Sequence, residues 1–273
     1  MNDHAAGFTG TIPENYETGL GPHIFSGFGK ELAKRVAAEK PSSVLELAAG
    51  TGIVTRYLRD ALPGECELVA TDLSQPMLDV AEEKFTRDMN ISFASADAME
   101  LPYTNEAFEV ITSQFGVMFF PDKVASFREA RRVLRPGGSY IFNTWDTWEG
   151  NPFARIAHET VKLFFPDDPP QFYKVPFSYA DMLIAMSDLK EAGFDRITTE
   201  PVELEQEIDY PSFCRGLIYG NPLYEEITER GGDPEEVLHA VDTALKLQFG
   251  KPGKMPLRAW YITAVRGLRF ART

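Results

Sequence analysis

The chain has 273 residues, 44% of them hydrophobic and 25% charged, with 27 basic against 41 acidic side chains and a formal net charge of −14. That composition is globular and its size suits one α/β body with insertions, while the acidic excess without any basic stripe argues against a nucleic-acid substrate. No run of about 18 apolar residues offers a membrane span, residues 1–10 lack the pattern of a secretory leader, and Cys66 and Cys214 show neither pairing nor metal spacing, so the expectation is a cytoplasmic protein with free thiols and no metal.

In chain order, residues 1–20 are rich in Gly, Pro, Asn and Thr and read as an arm whose order depends on docking, with Tyr16 its most notable member. Ile24, Phe25, Phe28, Leu32 and Val36 fall on helical spacing, which predicts a helix over 22–38 ended by Lys40-Pro41. Strands follow at 44–48, 67–71, 91–94, 108–113 and 139–145. Helices are expected at 52–62, at 74–87 with Ser74 as N-cap, and at 122–134. Strands alternating with helices imply right-handed crossovers and a parallel sheet covered on both faces.

Beyond Trp145 the pattern changes. Residues 146–177 are rich in aromatics, Pro and Asp, with a helix expected near 153–165. Ser178-Tyr179-Ala180-Asp181 has the form of a capping box for a helix reaching Ala192. Residues 196–208 read as a strand, residues 210–256 as a second insertion with helix starts at Asn221-Pro222 and Asp233-Pro234, and 258–266 as a last strand. The expected organisation is a single domain over 1–273: arm and helix over 1–40, cofactor-binding core over 41–145, and lid insertions over 146–180 and 210–256. The fold class is a Rossmann-like α/β sheet, parallel with helices on both faces and a final antiparallel strand.

The stretch Val44-Leu45-Glu46-Leu47-Ala48-Ala49-Gly50-Thr51-Gly52 ends an apolar strand in a small-residue turn that lets backbone approach a ligand. Taken alone it is also an ordinary strand-to-helix loop. Asp72 lies twenty residues beyond Gly52, the separation at which an acid closing the second strand meets a ribose diol. That spacing suits a nicotinamide dinucleotide equally well. Thr55 stands where a dinucleotide fingerprint has its third glycine, and Glu46 would sit badly beside a diphosphate but well near a cation.

Together with Asp72-Leu73-Ser74-Gln75-Pro76-Met77, Ala94-Ser95-Ala96-Asp97-Ala98 and Leu134-Arg135-Pro136-Gly137-Gly138, this stretch resembles class I S-adenosylmethionine-dependent methyltransferases. The nearest branch is the small-molecule one that includes ubiquinone and menaquinone biosynthesis enzymes. The resemblance covers residues 35–145 and implies S-adenosyl-L-methionine as cofactor and S-adenosyl-L-homocysteine as product. It implies that Glu46, Ala48, Gly50, Thr51 and Gly52 hold the methionine end, with Ala48 where the family usually has glycine. It also implies that Asp72 binds the ribose, that Leu73 and Met77 flank the adenine, and that Asp97 and Ala98 meet its edge. It implies as well that Gln114 and Phe115 contact the amino-acid end and that Tyr16 closes over the cofactor from the arm.

Methyl transfer from a sulfonium needs in-line positioning and exclusion of water; where the acceptor carries a proton, a base helps. The candidates are His158 and Tyr173, then Asp146 and Tyr219. Aromatic density in the insertions suggests an apolar or aromatic small-molecule acceptor, or simply the core of the lid. The alternatives are a non-catalytic cofactor-binding scaffold and an NAD-dependent oxidoreductase. Oligomeric state is not readable from these residues.

Overall fold

The computed structural model describes residue 8 and residues 10–268. Seven strands form one sheet in the order β3-β2-β1-β4-β5-β7-β6. The first five are β1 (Ser43–Leu47), β2 (Glu67–Asp72), β3 (Ile91–Ser95), β4 (Phe108–Gln114) and β5 (Leu134–Trp145), and each pair among them is parallel. β6 (Arg196–Ile208) forms the edge, and β7 (Gly253–Val265) runs antiparallel to both its neighbours, inserted between β5 and β6. The mostly parallel α/β sheet with its final antiparallel strand is as the sequence predicts. β1 is buried at every position, because helices cover both faces of the central strands.

Strand order reverses between β1 and β4, so the loops that follow them diverge and leave a crevice at the carboxyl ends of the strands. The loop after β1 leads into α3 (Ile53–Ala61), and the turn after β2 into α4 (Gln75–Glu82). α4 ends five residues before the expected limit, as Lys84 and Phe85 close tight turns on Ala81 and Glu82, and the Phe85 ring packs against Phe93 and under Arg56. Asp122 caps α5 (Lys123–Val133) by accepting the Ala125 N–H.

The N-terminal arm departs most from expectation. It is helical from Ile12, running as α1 (Ile12–Asn15), a π-helical segment Tyr16–Phe25 and α2 (Ser26–Ala38) without interruption. Gly19, Gly21 and Pro22 are poor helix formers, but tertiary packing overrides them: the segment lies against α8 (Tyr210–Tyr219), with Gly19 set so close to Gly216 that a Cβ on Gly19 would lie 2.5 Å from the Gly216 Cα. α8 itself was not foreseen, although Asp209 followed by Pro211 is a helix-start signal.

The first insertion forms α6 (Pro152–Lys162), and α7 (Met182–Glu191) follows it. Asp181, not Ser178, caps α7 by accepting the Leu183 N–H; Ser178 instead donates to the Val175 carbonyl, so the capping box does not form. In the second insertion α8 is followed by α9 (Leu223–Glu229) and α10 (Pro234–Phe249), and α10 packs on both α6 and α8. The two insertions thus meet each other and the π segment over the carboxyl end of the sheet. Among the described residues no helix is long and apolar enough to cross a membrane.

Candidate active site

A cavity of about 740 Å³ opens where the crevice passes beneath the π segment and the insertions, a volume in the upper part of the range for small-molecule sites. Its sheet-side half is built from the strand ends. Ala48, Gly50 and Gly52 all adopt left-handed backbone, at φ +53°, +56° and +78°, which folds the loop after β1 back on itself. Ala48 accommodates this strain where glycine would do so freely. The loop after β4 closes on it so tightly that a Cβ on Gly116 would lie 2.5 Å from the Ala48 Cβ.

Asp72 is the hub of this half. Its Oδ2 accepts the Gly50 N–H and its Oδ1 the Ser74 N–H, each at 2.8 Å, so the carboxylate joins the β1 loop to the β2 turn and keeps lone pairs directed at the cavity. Burial raises its pKa, and the amides of Ser74, Gly50 and Leu73 oppose that rise. Leu73 and Met77 line the wall beside it. Asp97 and Ala98 line the next stretch, with Asp97 Oδ1 fixed by the Met99 N–H at 2.8 Å. The Tyr16 ring stacks on Phe25 at 4.8 Å across the opening. Desolvation of its hydroxyl, with the nearby carboxylates of Asp72 and Glu17, holds that phenol well above its usual pKa.

Gln114 and Phe115 also line the cavity. Phe115 is another left-handed residue, at φ +51°, and its N–H donates to Asn143 Oδ1 at 3.0 Å. That bond holds the Phe115 ring flat against Trp145, with centroids 3.9 Å apart and planes 4° from parallel.

Three expected ligands lie behind the wall. Gly52 does not line the cavity; a Cβ there would lie 3.0 Å from the Ala81 Cβ, so this glycine serves the approach of α4. Thr51 is buried with its hydroxyl donated to Glu17 Oε2. Glu46 is 1% exposed and accepts from the Thr55 hydroxyl at 2.6 Å, so the residue that breaks the dinucleotide pattern is the partner of the buried acid.

Burial pushes the Glu46 carboxyl up from 4.5 to about 8. The unfolded chain ionises this group from pH 4.5 upward while the folded chain keeps it protonated, so the protein loses stability as pH rises through that window. The expected slope is about 1.4 kcal/mol per pH unit. Urea midpoints at pH 5.5 and 7.5 check this: Glu46→Gln should remove that part of the pH dependence, and an unchanged dependence refutes it.

The base candidates fare differently. His158, on α6, lies outside the cavity wall with its ring beside Trp148 at 5.1 Å, and desolvation lowers its pKa. Tyr173 does line the cavity, but its hydroxyl donates to the Leu217 carbonyl at 2.9 Å and burial raises its pKa. Asp146 pairs with Arg258 and accepts from Trp260 Nε1, while Tyr219 donates to Glu235; neither lines the cavity. The aromatics of the insertions divide. Phe153, Phe172, Tyr173 and Phe177 face the cavity, whereas Trp148, Phe164, Phe165, Tyr179, Phe213, Tyr219 and Tyr224 pack elsewhere. Sequence reasoning missed Phe8, Phe25, Phe119, Phe120 and Trp145, which also line the wall. It also missed Asn143, whose signal was an amide directly after the apolar run Tyr140–Phe142.

A sheet of this order, with a left-handed small-residue loop after β1 and acids closing β2 and following β3, defines the class I S-adenosylmethionine-dependent methyltransferases. Residues 44–138 match the family model described as a methyltransferase domain, and this part of the chain is such a domain. The chain is 37% identical over 146 residues to a demethylmenaquinone methyltransferase of Staphylococcus carnosus; the match spans 54% of this chain and 59% of that protein. Among solved structures, the YcgJ protein of Bacillus subtilis aligns with a TM-score of 0.57 at 19% identity, covering 89% of this chain and all of that one. A phosphoethanolamine N-methyltransferase 2 of Haemonchus contortus, in complex with S-adenosyl-L-methionine, aligns with a TM-score of 0.61 at 19% identity, covering 96% of this chain and 58% of that one. At these identities the structural likeness concerns the fold.

Proposed function

We propose that the protein binds S-adenosylmethionine in the sheet-side half of the cavity and transfers its methyl group to a small apolar or aromatic acceptor held in the other half. The observation that carries this reading is the continuity of one cavity from Asp72, Leu73, Met77 and Asp97 to Trp145, Phe153, Phe172 and Phe177.

In this reading the two Asp72 oxygens accept the ribose hydroxyls, Leu73 and Met77 flank the adenine, and the Asp97 carboxylate and Ala98 N–H meet its polar edge. Ala48 and Gly50 offer backbone to the methionine end, Glu46 supports their loop from beneath through its bond to Thr55, and Gln114 and Phe115 close the remaining side. Tyr16 covers the site. The donor supplies an activated methyl on a sulfonium, displaced in line by the acceptor atom, whether O, C or N. Residues 146–180 and 210–256 act as the lid, holding the acceptor on that line and keeping water out. The curated relative's name, demethylmenaquinone methyltransferase, makes lipophilic ring compounds the first acceptors to test. The aromatic wall favours them over the small polar amine named for the Haemonchus enzyme. Both cysteines are buried free thiols, in keeping with work in the reducing cytoplasm.

Two measurements test the proposal. Calorimetry with S-adenosylmethionine and with NAD should show binding of the first; binding of NAD alone sinks the reading. Incubation with methyl-labelled donor and a panel of hydroxylated aromatic and lipophilic acceptors should then give labelled product. Donor binding without transfer across a broad extract favours a scaffold.

A further inference from the structure

The π segment Tyr16–Phe25 forms part of the cavity wall and is anchored at two places of different character. On one side, from Tyr16 to His23, it is packed against the second insertion, where a Cβ on Gly220 would lie 2.9 Å from the Tyr16 nitrogen. Gly19 abuts Gly216, and the His23 ring lies 5.1 Å from Phe213, with Nδ1–H donating to the Gly19 carbonyl and Nε2 accepting the Asp209 N–H. On the side of the donor loop the anchor is polar and rests on Glu17. Glu17 Oε2 accepts the Thr51 hydroxyl at 2.5 Å, and Glu17 Oε1 pairs with Lys84 Nζ at 2.6 Å. Thr51 belongs to the loop after β1, and Lys84 to the turn after α4.

These two partners lie on the elements that carry Gly50 and Met77, so Glu17 spans from the cover to the floor of the donor half. The ion pair is partly withdrawn from water, with side-chain exposures of 27% for Lys84 and 29% for Glu17. A short charge-assisted contact of this kind, shared with a buried hydroxyl, fixes geometry in a way that a freely hydrated surface pair does not. Tyr16, the adjacent residue, has its hydroxyl near the carboxylates of both Asp72 and Glu17. A nucleoside-sized ligand seated against Asp72 and Met77 leaves most readily if Tyr16 lifts. Of the two anchors, the polar one exchanges with water at least cost, whereas the glycine contact on α8 opens only with the insertion.

We infer that Glu17, acting through Thr51 and Lys84, is a positioning residue that clasps the π segment onto the donor loop and sets the rate at which methyl donor and demethylated product exchange. The inference rests on the methyltransferase reading for the identity of the ligand, but the clasp itself is a property of the chain.

The test uses the full chain and S-adenosylhomocysteine as probe, with the fluorescence of Trp145 in the cavity wall as signal. Glu17→Gln and Lys84→Met should each release the probe roughly ten-fold faster than the unmodified protein. The double variant should be no faster than the quicker single one, since both break the same pair. Thr51→Val should also speed release, and Thr51→Ser, which keeps the hydroxyl, should restore it. Without ligand, amide hydrogen exchange in Glu17→Gln should rise at residues 17 and 18 and stay unchanged at 210–219. Release at the unmodified rate in Glu17→Gln, or equal loosening of α8, overturns the clasp. If the unmodified protein gives no signal with the probe, the methyltransferase reading fails, and the amide exchange result decides the clasp.

Discussion

Asp72→Ala is expected to weaken S-adenosylmethionine binding by about 1.5 to 3 kcal/mol, roughly ten- to a hundred-fold, the range for a lost charged hydrogen bond. The effect has two sources. The ligand loses the acceptor for its ribose hydroxyls, and the Gly50 and Ser74 N–H groups lose the oxygens that hold them at 2.8 Å. The second loss relaxes the β1 loop at Gly50, leaving the left-handed residues Ala48 and Gly50 held by the Ala49 N–H bond to the Thr71 carbonyl and by packing against Gly116. Asp72→Asn is not a mild change here. Its amide nitrogen would face either the Gly50 or the Ser74 N–H, donor against donor, so affinity should fall to a similar extent. Titration calorimetry on variants with native circular dichroism checks both, and unchanged affinity in a folded Asp72→Ala variant removes Asp72 from the site.

The second large effect belongs to Gly216→Ala. An added methyl would lie 2.6 Å from the Gly19 carbonyl carbon, 2.8 Å from its Cα and 2.9 Å from the Leu20 nitrogen. All are backbone atoms and cannot rotate away, so the π segment and α8 must part. Overpacking of this kind costs about 1 to 3 kcal/mol, read as a lower urea midpoint. Because the displaced segment carries Tyr16 and Phe25, donor affinity should fall with it. Gly64→Ala is the control: nothing lies within 4 Å of a Cβ there, and the change should stay within about 0.5 kcal/mol. A Gly216→Ala protein as stable as the control would mean that the two helices separate without loss.

The sheet was legible in the sequence because its signals are local. Apolar runs such as Val44–Leu47 end at small or acidic residues, and turn formers such as Pro63-Gly64 separate the units. Asp72 was legible for the same reason, since it closes β2 and so reaches the cavity, whereas Asp97, two residues past β3, was read only from the family resemblance. The roof was not. Gly19 and Gly21 argue locally against a helix, and the segment that holds them packs on α8 at Gly216. Glu17, Phe8 and Trp145 matter through partners far away in the chain, which no periodicity reports. His158 shows the converse: a titratable residue in an aromatic insertion invites a catalytic role, yet its helix turns it toward Trp148 and away from the cavity.

The roof also bears on how the molecule is made. It joins residues 16–25 to residues 209–221, which are separated by most of the chain, so the cavity lacks Leu217, Asn221 and the packing of its cover until synthesis has passed residue 221. Until then the nascent chain holds a donor loop and several parallel strands, with the Gly19–Gly216 and His23–Phe213 contacts of the π segment still unmade. Long-range closures of this kind come late in folding, and exposed apolar surface in the interval invites association with other chains. A fragment ending near residue 145 is therefore a poor surrogate for the donor site, even though every motif that marks that site lies within it.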